Sequence, residues 1–268
     1  MASANRHFIP GQIWHLTHRC HKREFLLKFA RDRQRWLQWL YEARKRFGLK
    51  VLDYCVTSNH VHLLVYDSAG GECIAKSVQL IAGRIGQEYN QRKHRKGAFW
   101  EDRYHATAIE TGEHLLRCVI YIDLNMVRAG AVFHPQQWKH GGYGEIQSPR
   151  RRNVLIDYET LRRLAGFTDF ARFQSAHKRW VASALAAQGN GREAMWTESL
   201  AVGHEDFVTR IGQALKGMAR GRKICKTIDG WELREAEVPY NARFDGQNGL
   251  IEPKNLYFWR ENDTITAA

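Results

Sequence analysis

The chain of 268 residues is short of acidic side chains, of paired cysteines and of long apolar runs, and each shortage removes a class of protein. Its five cysteines, Cys20, Cys55, Cys73, Cys118 and Cys225, are odd in number, scattered, and without any C-x-x-C pair. That spacing argues against a disulfide framework and a zinc ribbon, and reads as free thiols in a reducing compartment. No apolar run approaches the roughly 20 residues that span a bilayer, and the opening Met-Ala-Ser-Ala-Asn-Arg-His holds no apolar signal segment. Internal repeats and extended low-complexity stretches are missing as well. The expectation is a cytoplasmic globular protein without a membrane partner, whose 44% apolar content is ample for a core.

What is present in excess is positive charge. Forty-one Lys and Arg outweigh 28 Asp and Glu, giving a formal net charge of +13 and a pI near 9.7. Residues 1–147 hold 22 basic and 13 acidic side chains, a net +9, which leaves +4 for the rest. Such a surface attracts polyanions such as nucleic acid, and the field belongs mainly to the first half.

Periodicity orders that half. Ile13 to Arg19 reads as a strand, Arg31 to Phe47 as an amphipathic helix stopped by Gly48, and Leu49 to Val56 and His60 to Tyr66 as two strands joined by the polar turn Thr57-Ser58-Asn59. Cys73 to Gln91 has helical spacing, Tyr104 to Glu110 is strand-like, and Gly112 to Ala129 predicts one helix with Thr111 as N-cap and Gly130 beyond its end. The order β-α-β-β-α-β followed by α predicts an α+β protein. Its sheet would be an antiparallel, ferredoxin-like split βαβ, with helices on one face and an added catalytic helix. After the linker-like Ser148-Pro149-Arg150-Arg151-Arg152, helical patterns at Tyr158 to Leu164, Phe170 to Leu185 and Asp206 to Gly217 precede an irregular tail containing Asn241 to Gly246. The expected division is a catalytic domain over 1–147 and a helical accessory region over 148–268.

Two segments carry the chemistry. In Asn59-His60-Val61-His62-Leu63-Leu64-Val65, strand alternation aims His60 and His62 from one face, with Val61, Leu63 and Val65 on the other. In Tyr121-Ile122-Asp123-Leu124-Asn125, helical spacing makes Tyr121 and Asn125 neighbours. An Asn inside a helix is unfavourable by propensity and has a reason to be there. Two neutral imidazoles and an amide oxygen form a three-ligand metal set that leaves the ion its charge and open positions for phosphate oxygens. A tyrosine hydroxyl, with a free pKa of about 10, becomes a competent nucleophile on a well-placed, charge-neutralised phosphodiester. Attack gives a phosphotyrosine that conserves phosphodiester energy.

These segments, together with Phe99-Trp100-Glu101-Asp102-Arg103-Tyr104-His105 and the extended run Tyr121 to Gly130, resemble the single-tyrosine HUH transposases, specifically the REP-associated tyrosine transposases. The similarity covers about Phe8 to Val132, and Trp196 to Gly203 is similar to an extension found in some members. The resemblance implies magnesium or manganese held by His60, His62 and Asn125, and Tyr121 as the catalytic residue forming a 5′-phosphotyrosine. It also implies single-stranded or hairpin DNA as partner, cleavage at palindromic repeats, a nucleoid-associated location and action as monomer or homodimer. One position departs: Met126 stands where many relatives have Pro. Relaxases place the tyrosine before the histidines, and replication initiators usually carry a Lys where this chain has Leu124.

Other readings stay in view. A non-catalytic nucleic-acid-binding module would use a similar sheet as a platform and survive chelation. Gly70-Gly71-Glu72-Cys73-Ile74-Ala75-Lys76-Ser77 approaches a phosphate-binding loop, but Ala75 replaces its second glycine and its Cβ obstructs the backbone nest. Among His15, His18, Cys20 and His21, alternation separates His15 from His18, so no zinc site is expected. For DNA contacts the candidates are Arg92, Lys93, Arg95 and Lys96, Trp100 as a stacking surface, and Arg128 one turn past Asn125.

Overall fold

The structure, a computed structural model of the protein, describes residues 9–68, 72–187, 193–219, 221–228 and 230–235. The Asn241 to Gly246 tail and the glycines of the near-miss loop, Gly70 and Gly71, lie outside those residues. Nine helices and seven strands, with three short 3-10 turns, follow one another along the described chain.

The first half runs β1 (Ile13–Arg19), α1 (Ala30–Phe47), β2 (Lys50–Val56), β3 (His60–Tyr66), α2 (Glu72–Lys93), β4 (His105–Ile109), α3 (Glu113–Asp123) and α4 (Asn125–Arg128). The second half adds α5 (Tyr143–Gln147), α6 (Tyr158–Leu164), α7 (Phe170–Ala186), α8 (Met195–Glu198), β5 (Ala201–Gly203), α9 (Glu205–Leu215), β6 (Arg222–Thr227) and β7 (Gly230–Glu235). The sheet order is β2-β3-β1-β4-β5-β7-β6. Its first four strands are antiparallel and arranged as the split βαβ expectation requires: β1 lies between β3 and β4.

The two faces of this sheet have different tasks. Leu16, Val61 and Leu63 meet Trp36 of α1 and Val78, Ile81 and Ala82 of α2 on one face. α1 buries Trp36, Leu37, Leu40 and Ala43 at helical spacing, and it stops at Gly48, whose φ of +71° suits glycine and whose N–H donates to the Arg44 carbonyl. The opposite face takes α3. The helix that carries Tyr121 therefore packs across the sheet from the α1–α2 pair.

Two local expectations need correction. The predicted helix Gly112 to Ala129 is divided at Leu124, where φ −78° and ψ 0° end α3 and open α4. The break occurs without a proline, although Leu124 and Arg128 still donate back to the carbonyls of Ile120 and Leu124. Thr111 is not the N-cap: Gly112, at φ +72°, holds that position and no side chain caps the helix.

The region after residue 147 is helical through Ala186, as expected, and then contributes three strands that the sequence reading did not anticipate. β5 pairs parallel to β4, with Ala108 opposite Ala201, and β7 and β6 extend the sheet beyond it. This region shares the core: Leu155, Ile156, Leu161, Phe173 and Trp196 are buried in one cluster with β1 to β4. Its attachment beside β2 is polar. The buried Glu145 carboxylate accepts the N–H groups of Leu155 and Ile156 at 2.7 and 2.8 Å, and Asp157 binds Lys50 at 2.7 Å. Arg150 ion-pairs with Glu145 at 3.1 Å.

Candidate active site

The strand pairings decide which side chains converge. Thr17 of β1 lies opposite both His62 of β3 and His105 of β4, and His15 lies opposite Leu64 and Thr107. His15, Thr17, His60, His62 and His105 thus share the face covered by α3. His60 and His62 do project together, their rings 4.9 Å apart at the centroids. The Tyr121 ring lies 6.0 Å from that of His62, edge to face, and Asn125 Nδ2 lies 2.9 Å from His62 Nε2. The break at Leu124 begins a new helical turn at Asn125, directly over His62.

A chain of hydrogen bonds assigns the tautomers. The Trp196 carbonyl only accepts, so His15 Nδ1, 2.8 Å away, carries the proton. Burial pushes the His15 pKa down to about 3, so the ring is neutral and its Nε2 accepts the 2.9 Å bond from His62 Nδ1. Burial, with His60 second, also holds His62 well below the ordinary histidine range. His62 Nε2 is then an unprotonated donor atom at the surface of the site, capped by the Asn125 amide. His60 is set the same way. Its Nδ1 donates to Asn59 Oδ1 at 2.7 Å, with Thr57 Oγ1 at 3.0 Å from the same nitrogen, which makes Nε2 the ligand nitrogen of this ring. Both imidazoles present the nitrogen that a cation takes, so the donor set fits a divalent ion.

Tyr121 is 5% exposed, enclosed by the rings of His15, His62 and Trp196. Arg128 holds it from below: the guanidinium lies 4.0 Å over the phenol ring and donates to the Tyr121 carbonyl at 2.6 Å. A cleft of about 670 Å³ opens on these groups, and Arg19, Arg23, Arg103 and Arg128 line it with Glu101, Asp102, Thr197 and Glu198. Three of these guanidiniums, together with His15, Thr197 and Glu198, escaped the sequence reading. Alternation along β1 places His15 and Thr17 on one face, but only the register against β3 shows that the face is that of His62.

The remaining DNA candidates sit elsewhere. Arg92 pairs with the buried Asp32, Arg95 donates to the Ala98 carbonyl at 2.8 Å, and Lys93 lies 5.6 Å over the Phe29 ring. Lys96 is exposed, and Trp100 stacks on His18 at 4.0 Å while its indole donates to the Ala82 carbonyl. None of these five lines the cleft. Lys76, from the near-miss loop, pairs with Glu72 one turn away. A second group of ligand-type side chains, Glu110, His114 and His204, lies at the far end of β4. Among the described residues no helix is long and apolar enough to cross a membrane.

Comparison with known proteins follows the same lines. Residues 10–125 match the family model described as transposase IS200 like. A solved REP-associated tyrosine transposase bound to a REP hairpin is 18% identical, with a TM-score of 0.46, over 56% of this chain and 87% of that one. A putative transposase from Deinococcus radiodurans is 16% identical, with a TM-score of 0.31, over 48% of this chain and 98% of that one. No curated protein matches the chain. The matched segment begins just before β1 and ends on Asn125, so it contains both histidines, the tyrosine and the amide.

Proposed function

We propose that the protein is a metal-dependent DNA endonuclease and strand transferase that cleaves single-stranded DNA, at hairpins of palindromic repeats, through a 5′-phosphotyrosine on Tyr121. The observation that carries this reading is the convergence of His62, Asn125 and Tyr121 within one chain: an amide 2.9 Å from the imidazole and a phenol ring 6.0 Å from it. That closeness also supports action in cis.

His60 Nε2, His62 Nε2 and the Asn125 amide oxygen would hold magnesium or manganese. When bound, such an ion polarises a phosphate and neutralises part of its charge. The protein's own groups supply the rest. Arg19, Arg23, Arg103 and Arg128 line the cleft with guanidiniums suited to phosphate oxygens, and burial restricts the approach of water to Tyr121. The tyrosine oxygen attacks phosphorus and gives up its proton. The sugar 3′-oxygen leaves and takes one up, so a phosphodiester is exchanged for a phosphotyrosine ester, and the reverse attack by a 3′-hydroxyl rejoins a strand. The hairpin substrate rests on the resemblance of the motif segments.

The test is a covalent adduct. With manganese and labelled single-stranded hairpin DNA, the wild-type chain should yield a protein-linked product that Tyr121→Phe does not form. Cleavage that survives the substitution would reassign the nucleophile to water. DNA binding that survives chelation, with no cleavage under any metal, would favour the non-catalytic binding module.

A further inference from the structure

β4 leads from the cleft, at His105, to a second cluster at its other end. Glu110 follows its last residue, His114 lies in the first turn of α3, and His204 joins β5 to α9. One ligand atom from each lies within 4.8 Å of the others. Glu110 Oε2 is 2.8 Å from His204 Nδ1 and 3.8 Å from His114 Nε2, and the two imidazoles meet edge to face at 5.0 Å. Ile13 pairs with Ile109 while Thr17 pairs with His105, so the cluster stands four or more residues along the sheet from His62. That distance is on the order of 13 Å.

Three observations point to a cation there. The first is an unbridged pair: His114 is 3% exposed, its Nε2 lies 3.8 Å from Glu110 Oε2, and its Nδ1 has no hydrogen-bond partner among the described residues. A proton on Nδ1 is a buried donor without an acceptor, and it turns the Nε2 lone pair toward a carboxylate. A proton on Nε2 is too far from Glu110 Oε2, at 3.8 Å, to form a hydrogen bond. An ion between Nε2 and Oε2 would take both lone pairs and join two atoms that no hydrogen bond joins, the proton staying on Nδ1.

The second observation is the backbone. A methyl group on Gly203 would lie 2.6 Å from Glu110 Oε2, and one on Gly230 would lie 2.7 Å from His114 Cε1. Gly230 also has φ +146°, which excludes most side chains. Two glycines thus clear the space in which the carboxylate and the imidazole approach each other. The third is the donor set. Two imidazoles and one carboxylate are a donor set that zinc and similar divalent ions take. The His204 backbone N–H, 2.6 Å from Glu110 Oε2, fixes the carboxylate in place.

We infer that Glu110, His114 and His204 form a zinc-class metal site, open to water at its fourth position, that fastens the first turn of α3 to the β5–α9 junction. His204, 73% exposed at its side chain, lies at the solvent side. Seven residues along the same helix from His114 stands Tyr121, roughly 10 Å away. The ion would couple the accessory strands to the helix that carries the tyrosine, and would contribute to folding.

Calorimetric titration with zinc chloride tests this on the full chain carrying His60→Ala and His62→Ala, which silence the cleft and retain the cluster. One equivalent of zinc should bind, and cobalt should give tetrahedral absorption bands. Adding His204→Ala, at an exposed position, should weaken binding by at least the 10–100-fold that even an outer-shell partner is worth, and abolish the zinc-dependent rise in Tm. In the otherwise wild-type chain, His204→Ala should lower the zinc stoichiometry by one, and Glu110→Gln should do the same. Absence of a zinc equivalent in the His60→Ala/His62→Ala protein, or an equivalent unchanged by His204→Ala, would overturn the site.

Discussion

His15 Nε2 lies 2.9 Å from His62 Nδ1, and through that contact the carbonyl of Trp196, in the accessory region, sets which nitrogen of His62 faces the cleft. Substituting His15→Phe keeps a ring in the space and removes the acceptor. His62 Nδ1 is then a buried donor without a partner, and its proton is no longer held away from Nε2. Manganese affinity, read by calorimetry, should fall about 10–100-fold, as it does when outer-shell partners of metal ligands are lost. His15→Gln, which both donates and accepts, should recover part of that loss. Affinity unchanged in His15→Phe would show that the relay does not prepare the site.

Much of this arrangement was legible beforehand because it is local. The alternation of His60 and His62, and the step from Tyr121 to Asn125, are read directly from the periods of strand and helix. The helix Tyr158 to Leu164 and the strand His60 to Tyr66 have the bounds that their patterns predict. What was hidden depends on register and long-range pairing. His15 looks like an interior strand histidine until β1 is aligned with β3, and Thr197 and Glu198 reach the cleft only because the Trp196 to Gly203 segment runs along β4, where Ala108 N–H donates to the Leu200 carbonyl at 2.8 Å. β6, with exposed Lys223 and Ile224 beside Arg222, lacks the buried alternating face that marks a strand. The break at Leu124 has no local signal either, since neither Gly nor Pro stands there.

Arg128 was read from the sequence as a DNA contact, and its position adds a second task. Its guanidinium stacks 4.0 Å over Tyr121 and binds that residue's carbonyl at 2.6 Å, so it braces the α3–α4 junction. A charged hydrogen bond contributes about 1.5–3 kcal/mol and a desolvated cation–π contact up to about 2 kcal/mol, with overlap between the two. Arg128→Met should therefore lower stability by about 2–3 kcal/mol in urea denaturation, and should slow adduct formation more than it weakens DNA binding. A variant with unchanged stability would reduce Arg128 to a surface contact.

The buried histidines give the metal-free protein a pH dependence whose sign is defined. His15 has a pKa of about 3 in the folded chain against 6.5 for an ordinary histidine, because burial penalises its charged form. Between those values the unfolded chain takes up a proton that the folded chain refuses, so stability is full above pH 6.5 and falls as the pH drops toward 3. His62 and His140, the latter at about 4, act in the same direction, again through burial. Asp53 and Asp123, raised by burial, oppose them at the acid end. The His15 contribution alone is on the order of 5 kcal/mol when fully developed. Urea midpoints at pH 7, 5.5 and 4.5 should fall steadily in the wild type and less steeply in His15→Phe. Parallel curves for the two proteins would sink the assignment of a neutral His15.

The basic run after α2 separates into residues used by the fold and residues left for a polyanion. Arg92 neutralises Asp32, which is 7% exposed, so Arg92→Ala should cost stability by leaving a buried carboxylate without its partner. Lys93 and Lys96 are exposed and make no ion pair among the described residues, so their removal should leave Tm unchanged. If they contact phosphates, each lowers the slope of log affinity against log salt by about 0.7 for single-stranded DNA, and the Lys93→Ala/Lys96→Ala protein should show a slope shallower by about 1.4. Binding measured between 50 and 200 mM salt, a range over which phosphate contacts dominate affinity changes of roughly this kind, decides the matter. A slope equal to that of the wild type would make the run a solvated loop and leave DNA binding to the arginines of the cleft.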